Sequence, residues 1–303
     1  MPSDLPRAVR VRVPAKVNLH LSVGQRRPDG FHDLVTVFHA VDLVDEIVAT
    51  RADRLALTVT GEGAADLAVD ESNLAWQAAA VLAEAAGIDP AVRIDLHKAI
   101  PVAGGMAGGS ADAAGTLLAC STLWGVTDVD LPALAARLGS DTVFPLLGAT
   151  ALGRARGEVL VPVAPHDPLH WVFAFADGGI SARDAYGELD RQREAGPAGP
   201  RLRPPDTLLA ALADGDPAAI AAALANDLQP AALALRPSLR ATLDAGTRHG
   251  ALAGLVSGSG PTCAFLCADN EAAHALSAAL EADGVCRAAR VASGPAPGAR
   301  VIG

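Results

Sequence analysis

The segment Pro101-Val102-Ala103-Gly104-Gly105-Met106-Ala107-Gly108-Gly109-Ser110-Ala111 carries the residue types best suited to chemistry. Its four glycines, with Ala103 and Ala107 among them, let the backbone approach a ligand closely and point successive N–H groups at one spot. An apolar run from about 110 to 124 follows and reads as a helix, so the positive end of its dipole faces whatever the loop holds. That combination suits the phosphates of a nucleoside triphosphate, and Ser110 adds a hydroxyl for phosphate or Mg²⁺. No Lys-Ser or Lys-Thr follows the glycines, so this is not a Walker A loop, and the spacing is not that of a dinucleotide-binding fold. A flexible turn without a ligand is the plain alternative.

The elements that must position this loop are a mixture of α and β. Strand patterns occur at 9–13, 17–23 and 35–43, with a turn at Arg26-Arg27-Pro28-Asp29-Gly30, then at 55–60 and 92–97. Ser72 is positioned to cap a helix to about Ala86, stopped by Gly87 and Pro90. Short helices are expected at 131–138 and 141–147, and strands at 150–152, 159–163 and 170–176. A helix at 181–189 precedes a Pro-, Gly- and Arg-rich stretch, 191–205, read as a solvated, mobile loop. Ala-rich helices fill 206–248, followed by strands at 254–257, 262–267 and 285–291 around a helix at 271–283. A composition shift at 162–168 divides the α/β (α+β) chain into expected domains 1–164 and 165–303.

Composition narrows the function classes. The net charge of −10 argues against nucleic acid as a partner, which needs a basic face, and requires any phosphate site to make its own positive field. Met1–Ala8 has no apolar signal region, and no uninterrupted apolar run reaches about 18 residues, so no membrane span is expected. Cys120, Cys263, Cys267 and Cys286 do not match zinc spacings and read as free thiols of a cytoplasmic protein. Lys16 and Lys98 are the only lysines in a chain that otherwise uses arginine for positive charge.

Three segments in order, Pro14-Ala15-Lys16-Val17-Asn18-Leu19, the glycine loop, and Ser257-Gly258-Ser259-Gly260-Pro261-Thr262, resemble the motifs of the galactokinase, homoserine, mevalonate and phosphomevalonate kinase superfamily. The likeness covers nearly the whole chain. Arg27-Pro28-Asp29-Gly30-Phe31-His32-Asp33-Leu34, Gly139-Ser140-Asp141-Thr142-Val143-Phe144 and Gly179-Ile180-Ser181 resemble the branch acting on a cytidine-diphosphate-linked methylerythritol. Ala103 and Ala107 stand where glycine is common in that branch, and Phe31 where tyrosine is.

The resemblance implies a two-domain kinase with its site in the interdomain cleft, ATP and Mg²⁺ as cofactors, a small-molecule cytidyl diphosphate acceptor, and a monomer or homodimer. A sister kinase of homoserine or a mevalonate-like acid, or a non-catalytic binding protein on the same fold, are the alternatives. Asp141 is then the base and Lys16 the cation beside it, although Asp141 also suits a helix cap and Lys16 a surface strand. Asn18, two residues from Lys16 on a strand, shares its face and is expected to bond the substrate or Asp141. His32 is assigned to the cytosine edge, with Phe31 or Tyr186 stacked on the ring. Lys98 and Asn73 are placed at the nucleotide pocket, near its rim and the adenine. Gly258, Ser259 and Gly260 are expected to close over acceptor and phosphates, and no dedicated metal-ligand cluster is visible.

Overall fold

The computed structural model describes residues 5–196 and 202–302. The strands are β1 (Ala8–Arg26), β2 (His32–Arg51), β3 (Ala56–Gly61), β4 (Val92–Lys98), β5 (Thr150–Arg154), β6 (Val159–Pro162), β7 (Leu169–Phe175), β8 (Ala225–Asn226), β9 (Ala253–Val256), β10 (Cys263–Cys267), β11 (Ala288–Gly294) and β12 (Arg300–Val301). The helices are α1 (Leu74–Ala86), α2 (Gly108–Trp124), α3 (Leu131–Leu138), α4 (Val143–Leu147), α5 (Ala182–Glu194), α6 (Asp206–Asp214), α7 (Pro217–Ala223), α8 (Gln229–Leu235), α9 (Leu239–Arg248) and α10 (Asn270–Ala282).

One sheet runs β12-β1-β2-β4-β3, with β5 and β6 continuing from β2 and β8 beside β1; a second runs β11-β7-β10-β9. The first sheet is built mainly before residue 164, yet β8 and β12 return to it from the second half of the chain. The separate strand patterns at 9–13 and 17–23 are one strand, because Pro14 falls at a register shift in the β1–β2 ladder. A second shift lies between Asn18 and His20. These bulges bracket Lys16 and Asn18 and bend the strand that carries them.

α2 lies across β1 and β2 with α1 beside it, and a core of Val11, Val13, Val17, Ile47, Ile94 and Leu117 fills the layer between. β7 is buried on both faces. Trp171, Phe173 and Phe175 alternate into the core shared with the first sheet, while Val172 and Ala174 pack toward Phe265, Leu276 and Leu280. Each of those aromatic side chains contributes roughly 2–3 kcal/mol by leaving water, so the two halves are joined by packing as well as by the chain.

Local expectations shift in several places: β2 runs well beyond the expected 35–43 and β11 lies three residues later than 285–291. Asn73, not Ser72, caps α1: its side chain accepts from Ala75 N at 2.9 Å. α2 begins at Gly108, two residues earlier than the apolar run indicated, because the glycines themselves take helical backbone. The mobile-loop reading of 191–205 is corrected at both ends: residues to Glu194 complete α5, and Arg203 N donates to Ser22 Oγ at 2.9 Å; its middle, 197–201, lies outside the described residues.

Candidate active site

The glycine loop leaves β4 and enters α2 through three left-handed residues, Ala103, Gly105 and Ala107, with φ of 50°, 76° and 59°. A side chain in that region costs roughly 1–2 kcal/mol, so the two alanines hold strain that glycine would not. Gly105 has no such latitude. A Cβ there would lie 2.7 Å from Gly260 N, and nearer still to the Ser257 carbonyl oxygen. This close approach joins the halves: Ser257 Oγ donates to Gly105 O at 3.1 Å, and Thr262 N donates to Gly104 O at 3.3 Å.

A cavity of about 450 Å³ opens beside this junction. Gly104, Gly105 and Gly108 to Ser110 line it from the loop and the first turn of α2, with Ala103 and Ala107. No acidic residue sits in that first turn, so the helix end keeps its positive potential. Lys16 and Asn18 face the cavity from β1, Gly139 to Asp141 from the turn before α4, and Gly258 and Ser259 from the second half.

Lys16 Nζ stands 3.6 Å from Asp141 Oδ2 and donates to Asn18 Oδ1 at 2.7 Å and to Gly105 O at 3.3 Å. Burial lowers its pKa below 10.5, and the Asp141 charge opposes that fall. Asp141 remains 35% exposed, open to a ligand in the cavity. It sits in a 3-10 turn, Ser140–Thr142, and no side-chain cap is made by Thr142 at the start of α4. Asn18 does not bond Asp141 directly but reaches it through Lys16. Its amide nitrogen donates to Thr36 Oγ1 at 2.8 Å and its oxygen holds Lys16, so it orients the ammonium.

A second cavity of about 630 Å³ adjoins the first. Phe31, His32, Tyr186 and Asp190 line it. His32 Nε2 lies 2.8 Å from Asp190 Oδ1, and its ring stacks on Tyr186 with centroids 5.1 Å apart. Tyr186 lines both cavities, and its pKa is raised by burial and then by the charge of Asp141. Phe31 is 52% exposed, and Arg156 covers its ring at 5.0 Å from the centroid.

The remaining expected site residues lie elsewhere. Pro101 and Val102 face a third cavity on the far side of the loop, between Gly63 and Arg287. Met106 and Ala111 are buried in the core, and Gly260 closes the turn under Gly258 and Ser259 by donating to Ser257 O at 2.8 Å. Asn73 is used up as a cap, also donating to Ala68 O at 2.8 Å; its neighbour Leu74 reaches the cavity instead. Lys98 is not on the pocket rim but beneath it, paired with Asp45 and, at 2.7 Å, with Asp112. Burial alone disfavours its charge, but the two carboxylates outweigh burial and raise its pKa. Asp45 Oδ1 also accepts from Ala99 N and Ile100 N, so this buried triad anchors the entry to the loop. Arg156 and Asp190 were missed, because a turn arginine and a helix aspartate carry no local signature.

The models for the GHMP kinases N terminal domain and the GHMP kinases C terminal match residues 73–149 and 208–286. The chain is 59% identical over 298 residues to a 4-diphosphocytidyl-2-C-methyl-D-erythritol kinase of Mycolicibacterium smegmatis, covering 97% of this chain and 92% of that relative. The chain belongs to the 4-diphosphocytidyl-2-C-methyl-D-erythritol kinase family. A relative of the same name from Nocardia farcinica is 56% identical, covering 100% of this chain and 99% of its own. A solved 4-(cytidine 5'-diphospho)-2C-methyl-D-erythritol kinase superposes with a TM-score of 0.77 at 34% identity, over 93% of this chain and 98% of that one. A homoserine kinase from Cytophaga hutchinsonii, 20% identical with a TM-score of 0.75 and covering 100% and 99% of the two chains, shares the fold. The two-domain kinase fold and the phosphotransferase class expected from the motifs hold, and ATP use follows from the family. No helix of the described residues is long and apolar enough to cross a membrane.

Proposed function

We propose that the chain transfers the γ-phosphoryl group of ATP to the 2-hydroxyl of 4-diphosphocytidyl-2-C-methyl-D-erythritol, a step toward isoprenoid precursors by the non-mevalonate route. The observation that carries this reading is the Lys16–Asp141 pair, 3.6 Å apart across the cavity that the glycine loop lines. The triphosphate lies on the N–H groups of Gly108, Gly109 and Ser110, where the dipole of α2 offsets its charge. Asp141 takes the proton of the acceptor hydroxyl while its oxygen bonds to the γ-phosphorus and the bond to the β-phosphate bridge breaks, releasing ADP. Lys16, aimed by Asn18 and with its charged form favoured by Asp141 against the cost of burial, offsets the negative charge that grows on the attacking oxygen.

Mg²⁺ needs few protein ligands when phosphates supply the rest. Ser110 lines the cavity and fits such a role; bound there, the ion would neutralise phosphate charge. The second cavity, with a ring stack and a His–Asp pair, suits the cytosine. We place the enzyme in the cytoplasm, in keeping with its free cysteines. The test is ATP consumption with the cytidyl acceptor beside homoserine and mevalonate. Acceptor-dependent turnover with the cytidyl compound alone is expected; turnover of homoserine or mevalonate in its place refutes the reading.

A further inference from the structure

The two cavities share few side chains, among them Ser140, Tyr186 and Arg156. Among the described residues, Arg156 is the one charged residue lining both. A ligand with its base in the second cavity and its reacting hydroxyl beside Asp141 must pass its linker through this junction. In an acceptor of the kind proposed above, that linker is a diphosphate. The chain as a whole is strongly acidic, so the local field at the junction depends on the side chains placed there.

Arg156 is built to meet such a group. It lies in the turn between β5 and β6, where Ala155 takes a left-handed φ of 60°. The next residue, Gly157, abuts the base: a Cβ there would sit 3.7 Å from Asp141 Oδ1. Glu158 fixes the arginine from behind, accepting from Arg156 N at 2.8 Å and from Nε at 3.3 Å. The ring of Phe31 supports the guanidinium plane. Among the described residues, neither terminal nitrogen of Arg156 makes a hydrogen bond, so the fork that matches phosphate oxygens is free. Holding the guanidinium at its back and on one face also reduces the entropy lost when it binds.

We propose that Arg156 binds the diphosphate of the acceptor and so selects nucleoside-diphosphate-linked acceptors; this rests on the cytidyl reading of the site. Arg26 and Arg183 line only the second cavity and serve as the comparison.

The experiment measures inhibition by CDP and by cytidine, each competing with the acceptor at saturating ATP, for the wild type, Arg156→Gln and Arg183→Gln. Thermal melts confirm that both variants fold. In the wild type CDP inhibits more tightly than cytidine. Arg156→Gln weakens CDP about 10- to 100-fold, the range for losing a charged hydrogen-bond partner, and leaves cytidine unchanged. Arg183→Gln keeps the wild-type ratio. A folded Arg156→Gln that retains the CDP preference overturns the proposal, as does loss of that preference in Arg183→Gln instead. If neither compound inhibits the wild type, the cytidyl reading itself fails and Arg156 loses its ligand with it.

Discussion

Substituting Gly105 by alanine should disable catalysis while leaving the chain folded. The added Cβ falls 2.7 Å from Gly260 N, against an ordinary contact of at least 3.4 Å. Clearing that nitrogen alone needs about 0.7 Å, and the Ser257 carbonyl oxygen, closer still, needs more. The loop must therefore move by roughly 1 Å, a displacement that costs on the order of 10²-fold in rate at a reacting centre. The same movement pulls Gly105 O away from both Ser257 Oγ and Lys16 Nζ. The left-handed φ of 76° adds roughly 1–2 kcal/mol of strain. Gly87→Ala separates the two effects. Gly87 has a φ of 66° with nothing within 4 Å of its Cβ position, so it carries the strain without the collision. Steady-state kcat with ATP and the cytidyl acceptor, read beside thermal melting, decides. Gly87→Ala should lose stability only. A folded Gly105→Ala with kcat within about threefold of the wild type would refute the reasoning, since it would mean that the loop need not touch the second half.

Other perturbations separate the parts of the site. Asp141→Asn should lower kcat by about 10² or more with ATP affinity retained, and near-normal turnover would exclude it as the base. Tyr186→Ala and His32→Ala should each raise KM for the cytidyl acceptor by about five- to 100-fold without changing KM for ATP; the reverse pattern would exchange the two pockets. His39, buried at the end of the β2–β5 ladder, has its pKa pushed down to about 3 by burial and by the neighbouring His166. Its folded value lies below the unfolded value of about 6.5, so its contribution to stability is complete above pH 6.5 and is lost as pH falls toward 3. Urea unfolding should show the wild type losing up to about 1.4 kcal/mol per pH unit more than His39→Gln in that range, and parallel curves would contradict this.

What the sequence determined by itself was local. The glycine loop could be recognised because clustered small residues before an apolar run mark a strand-to-helix turn, whatever surrounds it. Most of the order of strands and helices was legible from apolar periodicity, the two-residue β8 and β12 excepted, and the motif trio carried the family. Tertiary structure decided which residues meet. Lys16 and Asp141 are distant in sequence and come within 3.6 Å because the fold packs α4, just after Asp141, against β1. Lys98 was misplaced at the pocket rim because its ammonium answers to Asp45 and Asp112, and nothing near it in the chain announces those partners. Asn18 was expected to bond the substrate or Asp141, and it meets Asp141 only through Lys16, while Thr36 on the neighbouring strand accepts from its amide. Arg156 looks like any turn arginine until β5 and β6 set it over Phe31 between two cavities. Periodicity and turn chemistry act over a few residues, where the chain's own geometry limits the choices. Charge pairing and cavity shape arise between segments that only the packed sheets and helices bring together.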